Sequence, residues 1–422
     1  MDISSNLPPG RVRQAVLLVG GKGTRLGELT RATPKPLMPI GEGQVFLDLL
    51  IHNFARQGFD RILLLAGFAA EQIVSLYDGK TIWGATIEVI VEQEPLGTGG
   101  AVRSALDKLE PMFILANGDS YFDMNCRSLD AAMQAAPHMQ GAMALRRVEE
   151  AGRYGSIHVD GNIVARFEEK VAHAGPGLIN AGIYLLRREI IAAIPVGASS
   201  LEADIFPGLA AKRQLLGVEG AGYFIDIGLP ETLTAARAEI HDVIRRPAVF
   251  LDRDGVLNHD HGYVHRWDRF DWIDGAIDTI RRFNDSGWFV FVVTNQAGVA
   301  HGYYEEHDIH LLHDAVRDHL ALRGAFVDAF YYCPYHPNGR RDEYRQDHPD
   351  RKPRAGMIKR ALADWPVRLD RMVLIGDRET DLAAAAEAGI PALHFEGGNL
   401  AEFLGQSDFL PGCFSTASRR GS

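Results

Sequence analysis

Short runs of branched apolar residues alternate with longer stretches of helical periodicity, and the alternation begins twice. Residues 15–19, 62–66, 87–91 and 113–116 are such runs, and each reads as a buried strand. Between the first two, Phe46, Leu49, Leu50 and Phe54 recur at helical spacing. The pattern restarts at 249–251 and continues at 289–293 and 372–375, with Ile277, Ile280 and Phe283 marking another amphipathic helix. This alternation predicts an α/β chain of two domains, each a mostly parallel sheet flanked by helices. The polar segment 241–247 separates the halves, giving expected domains at 1–242 and 247–405. Residues 406–422, containing Ser, Gly and Arg without periodicity, form a loose C-terminal tail. Each half opens with a strand running into a polar, glycine-containing loop. Ligands of open α/β sheets sit beyond the carboxyl ends of the strands, so each half should carry its own site.

Size and charge narrow the partners. At 422 residues the chain exceeds one ordinary core and suits two. Its net charge of -11 repels a phosphate-rich polymer, so nucleic acid is not an expected partner. Small phosphorylated metabolites still fit, because local cations can bind them inside an acidic protein. The three cysteines, Cys126, Cys333 and Cys413, are scattered and odd in number, which suits a reducing cytosol rather than a disulfide framework. No apolar run approaches the roughly 18 residues that span a bilayer, and residues 1–14 contain no signal-peptide core, so a cytoplasmic location without a membrane partner is expected. The sequence leaves homo-oligomer formation open.

In the first half the opening strand runs into Gly20-Gly21-Lys22-Gly23-Thr24-Arg25-Leu26. Glycines let backbone N–H groups approach a phosphate, and Arg25 adds a forked cation. Leu26 stands where a dinucleotide fingerprint needs its third glycine, and no Gly-Lys-Ser/Thr follows at P-loop spacing. Lys35 lies between Pro34 and Pro36, and Glu94-Pro95-Leu96-Gly97-Thr98-Gly99-Gly100 supplies a second glycine-rich turn before a helix. Asp119, at the end of the 113–116 strand, and Asp226 are two carboxylates able to grip Mg²⁺ when phosphates and water complete the shell.

These strings, with Phe-Glu-Glu-Lys at 167–170, Asn-Ala-Gly-Ile-Tyr at 180–184 and Ile-Asp-Ile-Gly at 225–228, resemble the sugar-1-phosphate nucleotidyltransferases over about residues 13–240. The resemblance implies a Rossmann-like domain in which a sugar phosphate oxygen attacks the α-phosphorus of a nucleoside triphosphate. Arg25 and the backbone of Gly20, Gly21, Gly23 and Thr24 would hold the triphosphate, and Lys35 would neutralise the reacting phosphates. Asp119 and Asp226 would bind Mg²⁺, and Gly97 and Thr98 would line the base pocket. Glu169, Lys170 and Asn180 would face the sugar phosphate.

In the second half a strand ends in Asp252-Arg253-Asp254-Gly255, and the next ends in Thr294-Asn295-Gln296. Arg351-Lys352-Pro353 and Gly376-Asp377-Arg378-Glu379-Thr380-Asp381 complete four polar groups in a fixed order. Two carboxylates two residues apart past a strand can converge on one phosphate and its metal. The set resembles the haloacid-dehalogenase-like (HAD-like) phosphatases over about residues 247–400. By that resemblance Asp252 is the nucleophile and Asp254 the general acid and base. Thr294 and Lys352 would hold the phosphoryl oxygens, with Asn295 and Arg351 as substrate contacts. Asp252, Asp377 and the Asp254 carbonyl would bind Mg²⁺, and Asp381 would support that shell.

Within that family the strings resemble the heptose bisphosphate and histidinol phosphatase branch, which usually carries a structural zinc loop. Here only Cys333, His336, His348 and Asp350 remain, at shifted spacing and without a cysteine pair, so zinc is not expected. Ala355 also stands where a proline is common. The first half resembles most the heptose-1-phosphate guanylyltransferases, through Glu-Pro-Leu-Gly-Thr-Gly-Gly-Ala and Asn-Gly-Asp-Ser-Tyr-Phe-Asp. The paired resemblances imply consecutive steps on heptose phosphates with GTP, ending in GDP-D-glycero-α-D-manno-heptose. UTP or ATP with another sugar phosphate, a non-catalytic metabolite-binding half, and histidinol phosphate for the phosphatase are the competing readings.

Overall fold

The computed structural model describes residues 7–8, 10–152, 156–167 and 175–407, without the side chains of Thr24 and Leu29. It divides into two compact units, one of residues 12–243 and one of residues 244–422 joined by residues 1–11. The division differs from the expected one at its start. Arg11, expected in the first domain, groups with the second unit and forms an ion pair with Asp318.

The first unit is built on a ten-stranded sheet. Strands Met112–Asn117, Gln14–Leu18, Arg61–Ala66 and Ala85–Val91 lie side by side and parallel toward one end of it. Ala15, Val16 and Leu17 are almost fully buried, as a strand covered on both faces must be. The expectation of a mostly parallel sheet fails beyond this point. Strand Gly177–Arg187 pairs antiparallel with both Met112–Asn117 and Gly141–Val148, so the sheet is mixed. Antiparallel insertion needs no crossover helix, and the apolar runs of the sequence do not reveal it. Register then sets the site. Leu18 pairs with both Leu65 and Asn117, so the loops after three strands leave the sheet at one edge.

The second unit holds a five-stranded sheet, wholly parallel, in the order Ala329–Cys333, Phe289–Asn295, Arg246–Leu251, Val367–Gly376, Ala392–His394. Alternate residues divide between its faces. Val249, Leu251, Val290, Val292, Val373 and Ile375 pack into one core, while Ala248, Phe250, Phe289, Phe291 and Leu374 pack into another. Helix Ala276–Asp285 buries Ala276, Ile280 and Phe283 against the first of these and turns Arg281 outward. Leu251 pairs with Val292 and with Ile375, so Asp252, Thr294 and Asp377 emerge together. Among the described residues no helix is long and apolar enough to cross a membrane.

Candidate active sites

The first unit carries a cavity of about 740 Å³ at the loop edge of its sheet. Gly20, Gly21, Lys22, Gly97, Thr98 and Asp119 contribute to its wall. The wall depends on close backbone approach. A Cβ on Gly20 would lie 2.6 Å from a Glu92 carboxylate oxygen, and one on Gly97 only 2.5 Å from the Ser199 carbonyl. Gly97 also has φ of +69°, which an L side chain resists. Thr98 Oγ1 donates to Glu202 (2.8 Å) and accepts from the Leu201 amide (2.9 Å), so its hydroxyl is fixed from both sides.

Lys35 is buried, with Nζ 2.6 Å from Asp119 Oδ2 and 3.6 Å from Asp226 Oδ1. The fold thus joins three sequence-selected residues separated by almost two hundred positions. Asp226 Oδ1 also accepts from the Gly228 amide at 2.5 Å. Arg25 is exposed on the 3-10 helix Thr24–Thr30 and does not line the cavity. Asn180 lies outside the lining too, held by Tyr184 OH (2.7 Å) and the Gly182 amide (2.9 Å). Glu169 and Lys170 fall outside the described residues, as does the Thr24 side chain. Sequence reasoning missed Glu92 and Glu202, two carboxylates in the wall. Burial pushes the Glu92 carboxyl above its ordinary value.

The second cavity, about 400 Å³, is lined by Asp252, Asp254, Thr294, Asn295, Arg351 and Lys352 among others. Lys352 Nζ lies 2.8 Å from Asp252, 2.6 Å from Asp381 and 3.0 Å from the Val293 carbonyl. Burial works against its charge, but the two carboxylates outweigh burial and raise its pKa. Burial drives Asp252 upward, against the pull of Lys352. Asn295 and Lys352 exchange two hydrogen bonds of 3.1 Å through the Asn295 amide and the Lys352 backbone, which locks the lysine segment to the strand end. Burial lowers the Arg351 pKa.

Oxygens of Asp252, Asp377 and Asp381 lie within 4.8 Å of one another, and Asp377 Oδ1 is buried without a hydrogen-bond partner. Four carboxylates, counting Asp254, face three close cations among the described residues: Lys352, Arg253 and Arg378, the last 3.8 Å from Asp377. That charge excess and the orphaned oxygen suit a divalent cation with oxygen ligands. Among the described residues no other group of three possible ligands converges so closely. In the degenerate zinc loop His348 Nδ1 accepts from the Asp350 amide (3.1 Å). Tyr335 stacks on His348 at 4.4 Å, Arg360 pairs with Asp350 at 2.7 Å, and His336 packs against His301 at 4.8 Å.

Comparison with known proteins assigns both halves. The nucleotidyl transferase family model matches residues 14–243, more than half the chain. The chain belongs to the nucleotidyl transferase family. A HAD-hydrolase-like model matches residues 350–402 of the second unit. A D-glycero-beta-D-manno-heptose-1,7-bisphosphate 7-phosphatase of Rhodopseudomonas palustris is 44% identical over 162 residues, covering 38% of this chain and 90% of that relative. The enzyme of the same name from Salmonella typhi is 42% identical over 144 residues, covering 34% of this chain and 77% of the relative. The crystal structure of HddC from Yersinia pseudotuberculosis shares 32% identity, covers 54% of this chain and all of that one, and has a TM-score of 0.48. The nucleotidyl transferase is therefore joined in one chain to a HAD-like phosphatase.

Proposed function

We propose that the phosphatase unit removes the 7-phosphate of heptose 1,7-bisphosphate and that the nucleotidyl transferase unit then transfers GMP from GTP to the heptose 1-phosphate. Pyrophosphate leaves, and the product is GDP-D-glycero-α-D-manno-heptose. The observation that carries this reading is the 44% identity to a heptose bisphosphate 7-phosphatase on a chain whose other half is a nucleotidyl transferase. Removing the 7-phosphate leaves a sugar 1-phosphate, the substrate class of the second reaction. The guanylyl choice rests on the motif strings at 94–101 and 117–123.

In the phosphatase unit an Asp252 oxygen attacks phosphorus, the bond from phosphorus to the C7 oxygen breaks, and Asp254 protonates the departing alkoxide. Water, deprotonated by Asp254, then cleaves the aspartyl phosphate. Lys352 and Thr294 hold the phosphoryl oxygens, with Asn295 and Arg351 at the substrate. Asp252, Asp377 and the Asp254 carbonyl would hold Mg²⁺, supported by Asp381, and the ion would neutralise phosphoryl charge.

In the nucleotidyl transferase unit the glycine loop at 20–24 and Arg25 hold the triphosphate, and Lys35 neutralises the reacting phosphates. Gly97 and Thr98 border the base, and Glu169, Lys170 and Asn180 meet the sugar phosphate. Asp119 and Asp226, which converge on Lys35, would hold a second Mg²⁺. The Tyr335–His348 stack and the Asp350–Arg360 pair support the reading that the phosphatase loop at 333–350 needs no zinc. The free, buried Cys126 and Cys333 suit a cytoplasmic enzyme.

The names of the phosphatase relatives carry the β-anomer, which favours a second reading in which this pair also works on β-heptose phosphates. One experiment tests both. Each anomer of heptose 1,7-bisphosphate is supplied with Mg²⁺ and GTP, ATP or UTP, and phosphate and pyrophosphate are counted. The proposal expects both products with the α-anomer and GTP. Turnover confined to the β-anomer, or to another nucleotide, replaces it.

A further inference from the structure

Asp254 must present its carboxyl group to the departing alkoxide, and its surroundings show what aims it. Arg253, its neighbour in sequence, is fully buried. Consecutive side chains leaving a strand ordinarily diverge. Here the Arg253 guanidinium folds back onto the next residue, with Nη2 donating to Asp254 Oδ1 (3.1 Å) and Oδ2 (2.9 Å) and Nε to Oδ1 (3.3 Å). The same Nη2 donates to the Val264 carbonyl, and Nη1 lies 3.4 Å from His313 Nε2. His313 is itself buried and stacked on Phe330 at 4.2 Å, so the guanidinium has a rigid backing.

A second arm reaches Asp254 through Gln296. Gln296 Nε2 donates to Asp254 Oδ2 (3.1 Å) and Thr294 Oγ1 (2.8 Å), and Gln296 Oε1 accepts from Tyr304 OH (2.8 Å). Tyr304 is pinned by the His265 ring stacked at 4.5 Å and by Gly298, where a Cβ would lie 2.1 Å from the Tyr304 ring. Asn258 adds a donor to Oδ1 at 3.0 Å. Burying a guanidinium is costly, and apolar packing would serve stability as well or better. An Arg held wholly out of water and forked onto one carboxylate is therefore best explained by orientation.

We propose that Arg253 is a positioning residue that fixes the Asp254 carboxyl group for proton delivery to the leaving alkoxide, with Tyr304 acting through Gln296 as a weaker second clamp. The inference rests on the reading of Asp254 as the general acid. An alkoxide needs that proton as it leaves, whereas p-nitrophenolate is stable enough to leave without it. Mispositioning must therefore harm a sugar phosphate more than an aryl phosphate.

The test uses the full chain with Mg²⁺ and enzyme in excess of substrate, counting leaving-group release in the first turnover. The substrates are heptose 1,7-bisphosphate and p-nitrophenyl phosphate, and the variants are Arg253→Met, Arg253→Lys, Tyr304→Phe and Asp254→Asn. Arg253→Met should slow release from the sugar phosphate about 100-fold and from the aryl phosphate severalfold at most. Arg253→Lys should recover part of the loss. Tyr304→Phe, which keeps the packing, should lose roughly five- to tenfold on the sugar phosphate alone. Equal losses on both substrates in Arg253→Met and Tyr304→Phe mean a packing role and overturn the proposal, as does an unchanged rate. A selective loss in Asp254→Asn without one in the Arg253 and Tyr304 variants overturns this inference alone. If Asp254→Asn is not selective, the general-acid reading falls and takes the inference with it.

Discussion

The two cavities are walled by different means. In the nucleotidyl transferase unit much of the wall is backbone: Gly20, Gly21 and Gly97 bring main chain to the cavity surface, and the buried cation Lys35 sits between two carboxylates at its edge. In the phosphatase unit the wall includes the buried side chains of Asp252, Thr294, Gln296, Tyr304 and Lys352, and Lys352 contacts both Asp252 and Asp381. The first arrangement suits catalysis by positioning, in which no protein atom bonds to the substrate. The second suits a covalent intermediate, which needs a nucleophile kept beside its own cation. Substitutions should therefore fail in different ways on the two sides.

The largest difference is expected at the nucleophile. Asp252→Asn should cut phosphate release from heptose 1,7-bisphosphate by roughly 10⁴-fold or more. Pyrophosphate release from supplied heptose 1-phosphate and GTP should be unchanged in the same variant. Coupled loss of both activities breaks the division of labour. The mirror variant, Lys35→Ala, removes only charge neutralisation and should slow pyrophosphate release by about 10²–10³-fold with phosphate release intact. A loss as deep as that of Asp252→Asn would mean that Lys35 does more than neutralise charge.

Backbone sets the next effect. Gly97→Ala places a methyl group against the Ser199 carbonyl at a positive φ, so the turn must move. We expect a roughly tenfold rise in KM for the nucleotide, about 1.4 kcal/mol of lost binding, with phosphate release untouched. A loss in kcat alone would place Gly97 at the reacting phosphates instead of the base.

What was legible in the sequence follows the same contrast. Asp252, Asp254, Thr294 and Asp377 could be chosen because parallel strands deliver their ends to one edge, whereas Lys352, in the loop before helix Gly356–Asp364, was legible only through the family resemblance. Arg253 stood in plain view between two aspartates, but its part depends on burial behind Val264 and His313, which no local pattern announces. Glu92 and Glu202 were missed because only packing across more than a hundred residues makes them neighbours of one cavity. The mixed sheet was missed for a related reason. Strand Gly177–Arg187 enters antiparallel, and its residues drew notice as a sugar-site motif rather than as a strand.

The smallest expected effect separates the units by stability. Four of the five tryptophans, Trp267, Trp272, Trp288 and Trp365, lie in the phosphatase unit, so tryptophan emission reports chiefly on its unfolding. His319 sits against Trp267 and Trp272, at 5.0 and 5.6 Å. Burial, with Arg323 nearby, lowers its pKa from 6.5 to about 4, and burial takes His313 well below its ordinary value. Both histidines are neutral when folded, while the unfolded chain takes up their protons near pH 6.5. Their stabilising effect is thus complete above that pH and is lost as pH falls from 6.5 toward 4. Because His319 is half exposed, solvent screening reduces its share to about 1 kcal/mol, a fall of roughly 2–4 °C in the Tm followed by tryptophan emission between pH 7 and pH 5. His319→Gln should flatten that slope, and His313 should supply the part that remains. A slope unchanged by the substitution would assign the acid sensitivity to His313 alone.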